Sequence, residues 1–280
     1  MQFIWLLYPI AMLALIGLTL IVWRRSDRLN EKSAWEFLAT HSSAKSHRFD
    51  YALIAELPEP AQQYFRYMIE PGTPLCSTVE IEMTGQLGLG SKEEPNYQSM
   101  QAHQILSPPY GLVWKLNSGA LAGSDGALPD RSWTRFWLLG MIPVVRASSA
   151  DHQRSAFGRV VAEAAIWAPA SLLPSRFVHW ESPDNETARA TVRHGNFTQS
   201  VDITLDEFGI PRKVSMLRWS NENKEKIFRD QPFGGLLSDF RCYQGYRLPA
   251  HVEGGNHIDT PSYFPFFKAD ITKFVFHYPK

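Results

Sequence analysis

Four residues that can ligate a metal or move a proton lie together in the stretch YRLPAHVEGGNHID, Tyr246 to Asp259: His251, Glu253, His257 and Asp259. In an extended strand alternate side chains share a face, so His251-x-Glu253 sets an imidazole beside a carboxylate. His257 or Asp259, across Gly254-Gly255, is close enough in sequence to fold back as a third group. One reading is therefore an enzyme using His251, Glu253 and His257, with or without a metal. The other is the wet face of a hairpin strand: the same alternation gives Tyr246, Leu248, Ala250 and Val252 an apolar face and leaves Arg247, Pro249, His251 and Glu253 outside. Zinc deaminases also start with His-x-Glu, but they need a Pro-Cys-x-x-Cys that is absent here. The second reading is preferred, so no metal, cofactor or catalytic group is assigned and the chain is read as non-enzymatic.

Other motifs are weaker. GQLGLGSK, Gly85 to Lys92, has the glycines of a phosphate loop, but Gly90-Ser91-Lys92 reverses the order a Walker motif needs, and two glutamates follow. A strand end and hairpin turn explain it. AGSDG, Ala122 to Gly126, imitates a nucleophile elbow around Ser124, yet its flanks lack the buried strand and helix that make an elbow, and it reads as a flexible loop. His103, His152 and His179 are scattered singly. Cys76 and Cys242 lack the close pairing of zinc or redox motifs; they could form one disulfide or be two buried thiols, and the reduced reading is preferred. Lys plus Arg and Asp plus Glu both total 28, and no basic run is interleaved with aromatics, which argues against nucleic acid. The tryptophan load is high for the folded part: Trp114, Trp137, Trp167, Trp180 and Trp219 are core candidates that also suit the lining of an apolar ligand site.

The elements that must position these residues follow from period. From Phe3 to Trp23 no charge interrupts an apolar run, long enough as a helix to cross a hydrocarbon core of roughly 30 Å. Nothing basic precedes it and Arg24-Arg25 follows directly, unlike a cleaved signal peptide, so a single-pass anchor in the bilayer is expected over residues 1–25. With Arg24, Arg25, Arg28 and Lys32 on one side, the positive-inside rule favours a cytoplasmic domain over a periplasmic one. A polar stalk with a short helix is expected over 26–54. A single β-rich domain is expected over 55–280, with helices near 58–70 (Ala61, Tyr64, Phe65 and Met68 on one face) and 154–167, capped by Asp151 or Ser155. Val79, Ile81 and Met83, then Ala188, Ala190 and Val192, then Val201, Ile203 and Leu205 alternate with polar residues, as half-buried antiparallel strands do. The fold class is mainly β: a curved antiparallel sheet or half-barrel with covering helices.

Five stretches together resemble a bacterial membrane-anchored family catalogued only as a domain of unknown function: LPEPAQQYFRYMIEPGTP (57–74), ILSPPYGLVWKL (105–116), LLGMIPVV (138–145), WAPASLLPSRFVHW (167–180) and LSDFRCYQGYRLPAHVE (237–253). The last also resembles strand pairs of lipoprotein-carrier folds, half-open antiparallel barrels closed by helices. That resemblance implies architecture and a periplasmic setting, but no catalytic residue. Anchor, tryptophans and architecture together point to binding of a lipid or other apolar ligand. A protein-interaction scaffold without a pocket is the remaining alternative.

Overall fold

The structure is a computed structural model and describes residues 4–41 and 47–278. Its framework is one curved, open sheet of 13 antiparallel strands, built from two meanders. The first runs through β1 (Val79–Gly88), β2 (Tyr97–Ser107), β3 (Gly111–Ser118), β4 (Leu121–Ala127), β5 (Ser132–Leu138) and β6 (Ile142–Ala147). The second runs through β7 (Val178–Glu181), β8 (Thr187–His194), β9 (Phe197–Leu205), β10 (Pro211–Ser220), β11 (Arg229–Tyr243), β12 (Tyr246–Asn256) and β13 (Phe264–Phe276). The meanders join where β1 pairs with β13, so β6 and β7 become the two outer edges. Helix α3 (Ala150–Trp167) is the connection between those edges and must cross one whole face of the sheet.

The expected alternation decides which side that is. Val79, Ile81 and Met83, Ala188 and Ala190, and Val201 and Ile203 are all buried on the face that α3 covers, together with Leu248, Ala250 and Val252. The amphipathic α2 (Glu59–Met68) covers more of the same face. It buries Ala61, Tyr64, Phe65 and Met68, and the Tyr64 hydroxyl donates to the Ala165 carbonyl near the end of α3 (2.9 Å). Burying four such side chains contributes on the order of 1.5–3 kcal/mol for each large one.

Several expectations need correction. α3 begins earlier than expected: Ser149, not Asp151 or Ser155, is the cap, its side chain accepting from the His152 amide (3.0 Å). Asp151 instead accepts from the Trp219 indole and Ser155 from Arg218. AGSDG is not a loop but the middle of β4, where small residues are needed for packing. A Cβ on Gly126 would lie 2.1 Å from the Trp133 ring, whose Nε1 donates to Ser124. Gly254-Gly255 is not a turn either; both lie within β12, facing Gly235 and Gly234 of β11.

The polar segment after the apolar run also departs from the expected stalk. α1 (Ile4–Thr40) is one unbroken helix, and its second half lies on the sheet face opposite α3. There Ala34 and Leu38 pack on Ile105, Val113 and Trp133. Asp27, largely buried, accepts two hydrogen bonds from Arg146 (2.8 and 2.9 Å) and one from the Trp137 indole (3.1 Å). Glu31 pairs with Lys115 (3.1 Å), whose ammonium sits over the Trp35 ring, and Trp35 donates to Glu80 (3.2 Å). A bidentate charged pair is among the stronger single contacts. Asp27→Asn should therefore cost about 1.5–3 kcal/mol and speed hydrogen exchange along the second half of α1; unchanged exchange there would show that the clamp does not hold the helix.

Candidate functional site

A cavity of about 300 Å³ lies between α3 and the sheet. α3 contributes Arg159, Ala162, Glu163, Ile166 and Trp167 to its roof; the sheet contributes Trp114, Phe136, Val214, Val252 and Phe267. The hollow has a cause in the backbone. Gly235 and Gly254 are opposed across β11 and β12, both on the face toward α3, so two neighbouring places on the floor carry no side chain. A Cβ at Gly254 would meet nothing closer than 3.7 Å. The adjacent pair differs: a Cβ on Gly255 would fall 1.9 Å from the Phe264 carbonyl oxygen and one on Gly234 2.4 Å from that of Val214. One pair of glycines lets strands approach, the other leaves room.

One wall is charged. Arg159 donates from Nε to Glu163 (2.6 Å) and from a terminal nitrogen to Asp125 (3.1 Å), while Gln104, fully buried, donates to the other Glu163 oxygen. Burial alone would lower the Arg159 pKa, but the two carboxylates outweigh it and the net shift is upward. Each carboxylate left alone in such a wall would cost several kcal/mol, so the three charges stand or fall together. Arg218, on β10, also faces the cavity; burial and the charge of Arg159 push it down to about 10. Trp114 Nε1, Trp167 Nε1 and Asp125 Oδ1 are buried without a hydrogen-bond partner among the described residues.

The five tryptophans of the sequence analysis separate. Trp114 and Trp167 line the cavity. Trp137 is on the opposite face beside Trp23 and Asp27, Trp180 packs edge-on against Phe65 and donates to the Leu172 carbonyl, and Trp219 lies under Arg154 at the start of α3.

The histidine and carboxylate group is on the outer side. His251 Nδ1 is 2.7 Å from Asp270 and its Nε2 3.6 Å from Glu253, which also faces Lys268 at 3.7 Å. These are cross-strand partners in β12 and β13, half-exposed, and of the kind worth roughly 0–1 kcal/mol. His257 lies beyond β12 in a left-handed turn whose carbonyl takes the Thr260 hydroxyl, and Asp259 pairs with Lys213. Among the described residues no group of three or more His, Cys, Asp or Glu is arranged to hold a metal. His103 and His277 both contact Glu80, and His152 lies between the Ser132 and Thr134 hydroxyls (2.7 and 3.0 Å). Burial pushes the His152 pKa down, which suits a neutral ring tying α3 to β5. Both cysteines are free, Cys76 buried and Cys242 exposed. Burial raises the Cys76 thiol to about 11, so it is unreactive.

Sequence reasoning missed Arg159, Glu163, Gln104, Asp125 and Arg218. The usable signal was Arg159 and Glu163 one turn apart on the helix face that must meet the sheet, and the two Gly-Gly pairs twenty residues apart in neighbouring strands.

The profile of a "Family of unknown function (DUF6544)" matches residues 47–269, from just after α1 into β13. The chain belongs to this family. No curated protein matches it. Among solved structures it is similar to a LolA superfamily protein from Nitrosomonas europaea, at 10% identity over 76% of this chain and 92% of that one, with a TM-score of 0.40. It is also similar to a putative outer membrane lipoprotein-sorting protein domain from Vibrio parahaemolyticus, at 10% identity over 71% and 85%, with a TM-score of 0.36. Family membership brings no activity with it, so function has to be argued from the cavity.

Proposed function

We propose that this chain is a membrane-anchored, non-enzymatic protein that holds a lipid or other apolar ligand in the cavity beneath α3. The observation that carries the reading is the bare floor at Gly235 and Gly254 under an otherwise aromatic and aliphatic lining. Interiors pack to crystal-like density and rarely leave such voids without use. At about 300 Å³ the space is at the lower end of the range for ligand sites, roughly 300–1,000 Å³. It suits one slender molecule better than a bulky one.

The bilayer is the second partner. Ile10, Leu13, Leu15, Leu18 and Ile21 all present more than half of their surface outward, and among the described residues α1 is the one helix long and apolar enough to span a membrane. A hydrocarbon phase removes the cost of that exposure. Arg24, Arg25 and Arg28 at the inner end of the span favour the cytoplasm for the domain. A thiol reagent that cannot cross membranes should then label the exposed Cys242 only after cells are opened; labelling of intact spheroplasts would move the domain to the periplasmic side.

The ligand itself is tested by native mass spectrometry of the full chain released from detergent. We expect a retained molecule in the mass range of a single-chain lipid. Gly254→Leu, whose Cβ would sit at ordinary contact distance from its neighbours (3.7 Å or more), should lose it while melting no earlier than the parent. An empty parent protein, or a Gly254→Leu variant that keeps the molecule, would contradict the reading.

A further inference from the structure

Arg218 faces the cavity without a direct ion-pair partner, its charge met only at longer range by Asp125, Glu163 and Glu222. Its Nε donates to the Ser155 hydroxyl at 3.1 Å, and its guanidinium carbon lies 4.8 Å from the centre of the Phe233 ring. Among the described residues no carboxylate lies within ion-pair distance of it, and its two terminal nitrogens have no hydrogen-bond acceptor. Arg159, by contrast, is saturated by Glu163 and Asp125. Guanidinium nitrogens without a direct acceptor are open to a ligand, and their planar fork matches a carboxylate or phosphate through two parallel bonds.

We propose that the ligand is an anionic amphiphile: a single acyl or alkyl chain lying over Gly235 and Gly254, ending in a carboxylate or phosphate monoester that Arg218 binds. This rests on the reading of the cavity as a ligand site. Trp114 and Trp167, with free indole N–H groups on the cavity wall, supply the signal to follow it. The full chain in maltoside detergent is titrated with myristate, tetradecyl phosphate and the neutral 1-tetradecanol, and tryptophan fluorescence is recorded. Myristate or tetradecyl phosphate should bind at least ten-fold more tightly than the alcohol; which of the two is tighter tells a free acid from a phosphate headgroup. Arg218→Met should bring the anions down to the affinity of the alcohol and leave the alcohol unchanged. Arg218→Lys should recover part of the preference. Equal binding of alcohol and acid by the parent, or a preference that survives Arg218→Met, overturns the inference while leaving the cavity reading intact. Binding of none of the three overturns both.

A separate observation supports a second inference. The turn between β5 and β6 is apolar and uncovered: Leu139 is 65% and Met141 61% exposed, and Leu138, Ile142, Val144 and Val145 continue the patch along the edge strand β6. Gly140 and Met141 share a groove with Gly17, Leu20, Ile21 and Arg24 of α1, and Gly140 leaves no room for a Cβ against the Arg24 guanidinium. The turn is thus level with the last turns of the apolar span. We infer that its tip enters the interface of the bilayer that holds α1. Interfacial depth fits an edge strand, whose free backbone groups must still reach water or headgroups.

The test uses the full chain with Cys242→Ser, the buried Cys76 kept, and a single cysteine introduced as Leu139→Cys, Met141→Cys or, on the distant β9–β10 turn, Phe208→Cys. Each is labelled with an environment-sensitive dye in phosphatidylcholine vesicles containing brominated chains. Blue-shifted, bromine-quenched emission at 139 and 141 but not at 208 is expected; emission at 139 and 141 as water-like as at 208 overturns the inference.

Discussion

Everything above the sheet depends on the pairing of β1 with β13. Once the first and last strands meet at the middle, the ends of the two meanders are as far apart as the sheet allows, and the chain between them has to cross its face. A helix is the economical way to do so, since it satisfies its own backbone groups on the way. α3 is fixed at its start by the Ser149 cap and by His152 against β5, and near its end by the Tyr64 hydroxyl on Ala165. Held at both ends over a curved surface, it need not touch the floor everywhere. Where Gly235 and Gly254 withdraw their side chains, it does not.

That arrangement has a cost that a protein selected for stability alone would avoid. Filling the floor with one leucine is the kind of change that stabilises a core. The Arg159, Glu163 and Asp125 group carries one positive and two negative charges, with Arg218 nearby as the second cation, and holds α3 to β4 and β2 through charge-assisted bonds. The two arginines thus differ: Arg159 is held in direct ion pairs, while Arg218 faces the cavity without one. The opposite face of the sheet is given over to α1, so that helix and the cavity are separated by one layer of strands, and Asp27 and Trp35 fix α1 against the domain.

Much of this was legible in the sequence because it is local. The period of two in Ala188, Ala190 and Val192 and the helical spacing of Ala61, Tyr64, Phe65 and Met68 carry their own geometry, and the mainly β, curved antiparallel architecture follows from them. What escaped is set by partners distant in the chain. Gly254-Gly255 looks like a turn until Gly234-Gly235 is laid beside it; AGSDG looks like a loop until Trp133 needs its space; the charged segment after Trp23 looks like a stalk until Arg146 and Lys115 arrive to meet Asp27 and Glu31. His251 and Glu253 share a face as expected, and it is the outer one. Arg218 could not be singled out at all, since its lack of a direct ion pair is a property of the folded state.

The central claim is that the space beneath α3 is a place for a ligand rather than a packing fault. The most direct measurement is an experimental density map of the full chain purified with its native lipids. The account predicts continuous elongated density above Gly235 and Gly254, reaching toward Arg218. A map in which Trp114, Phe136 and Trp167 have closed onto the floor and no such density remains would contradict it.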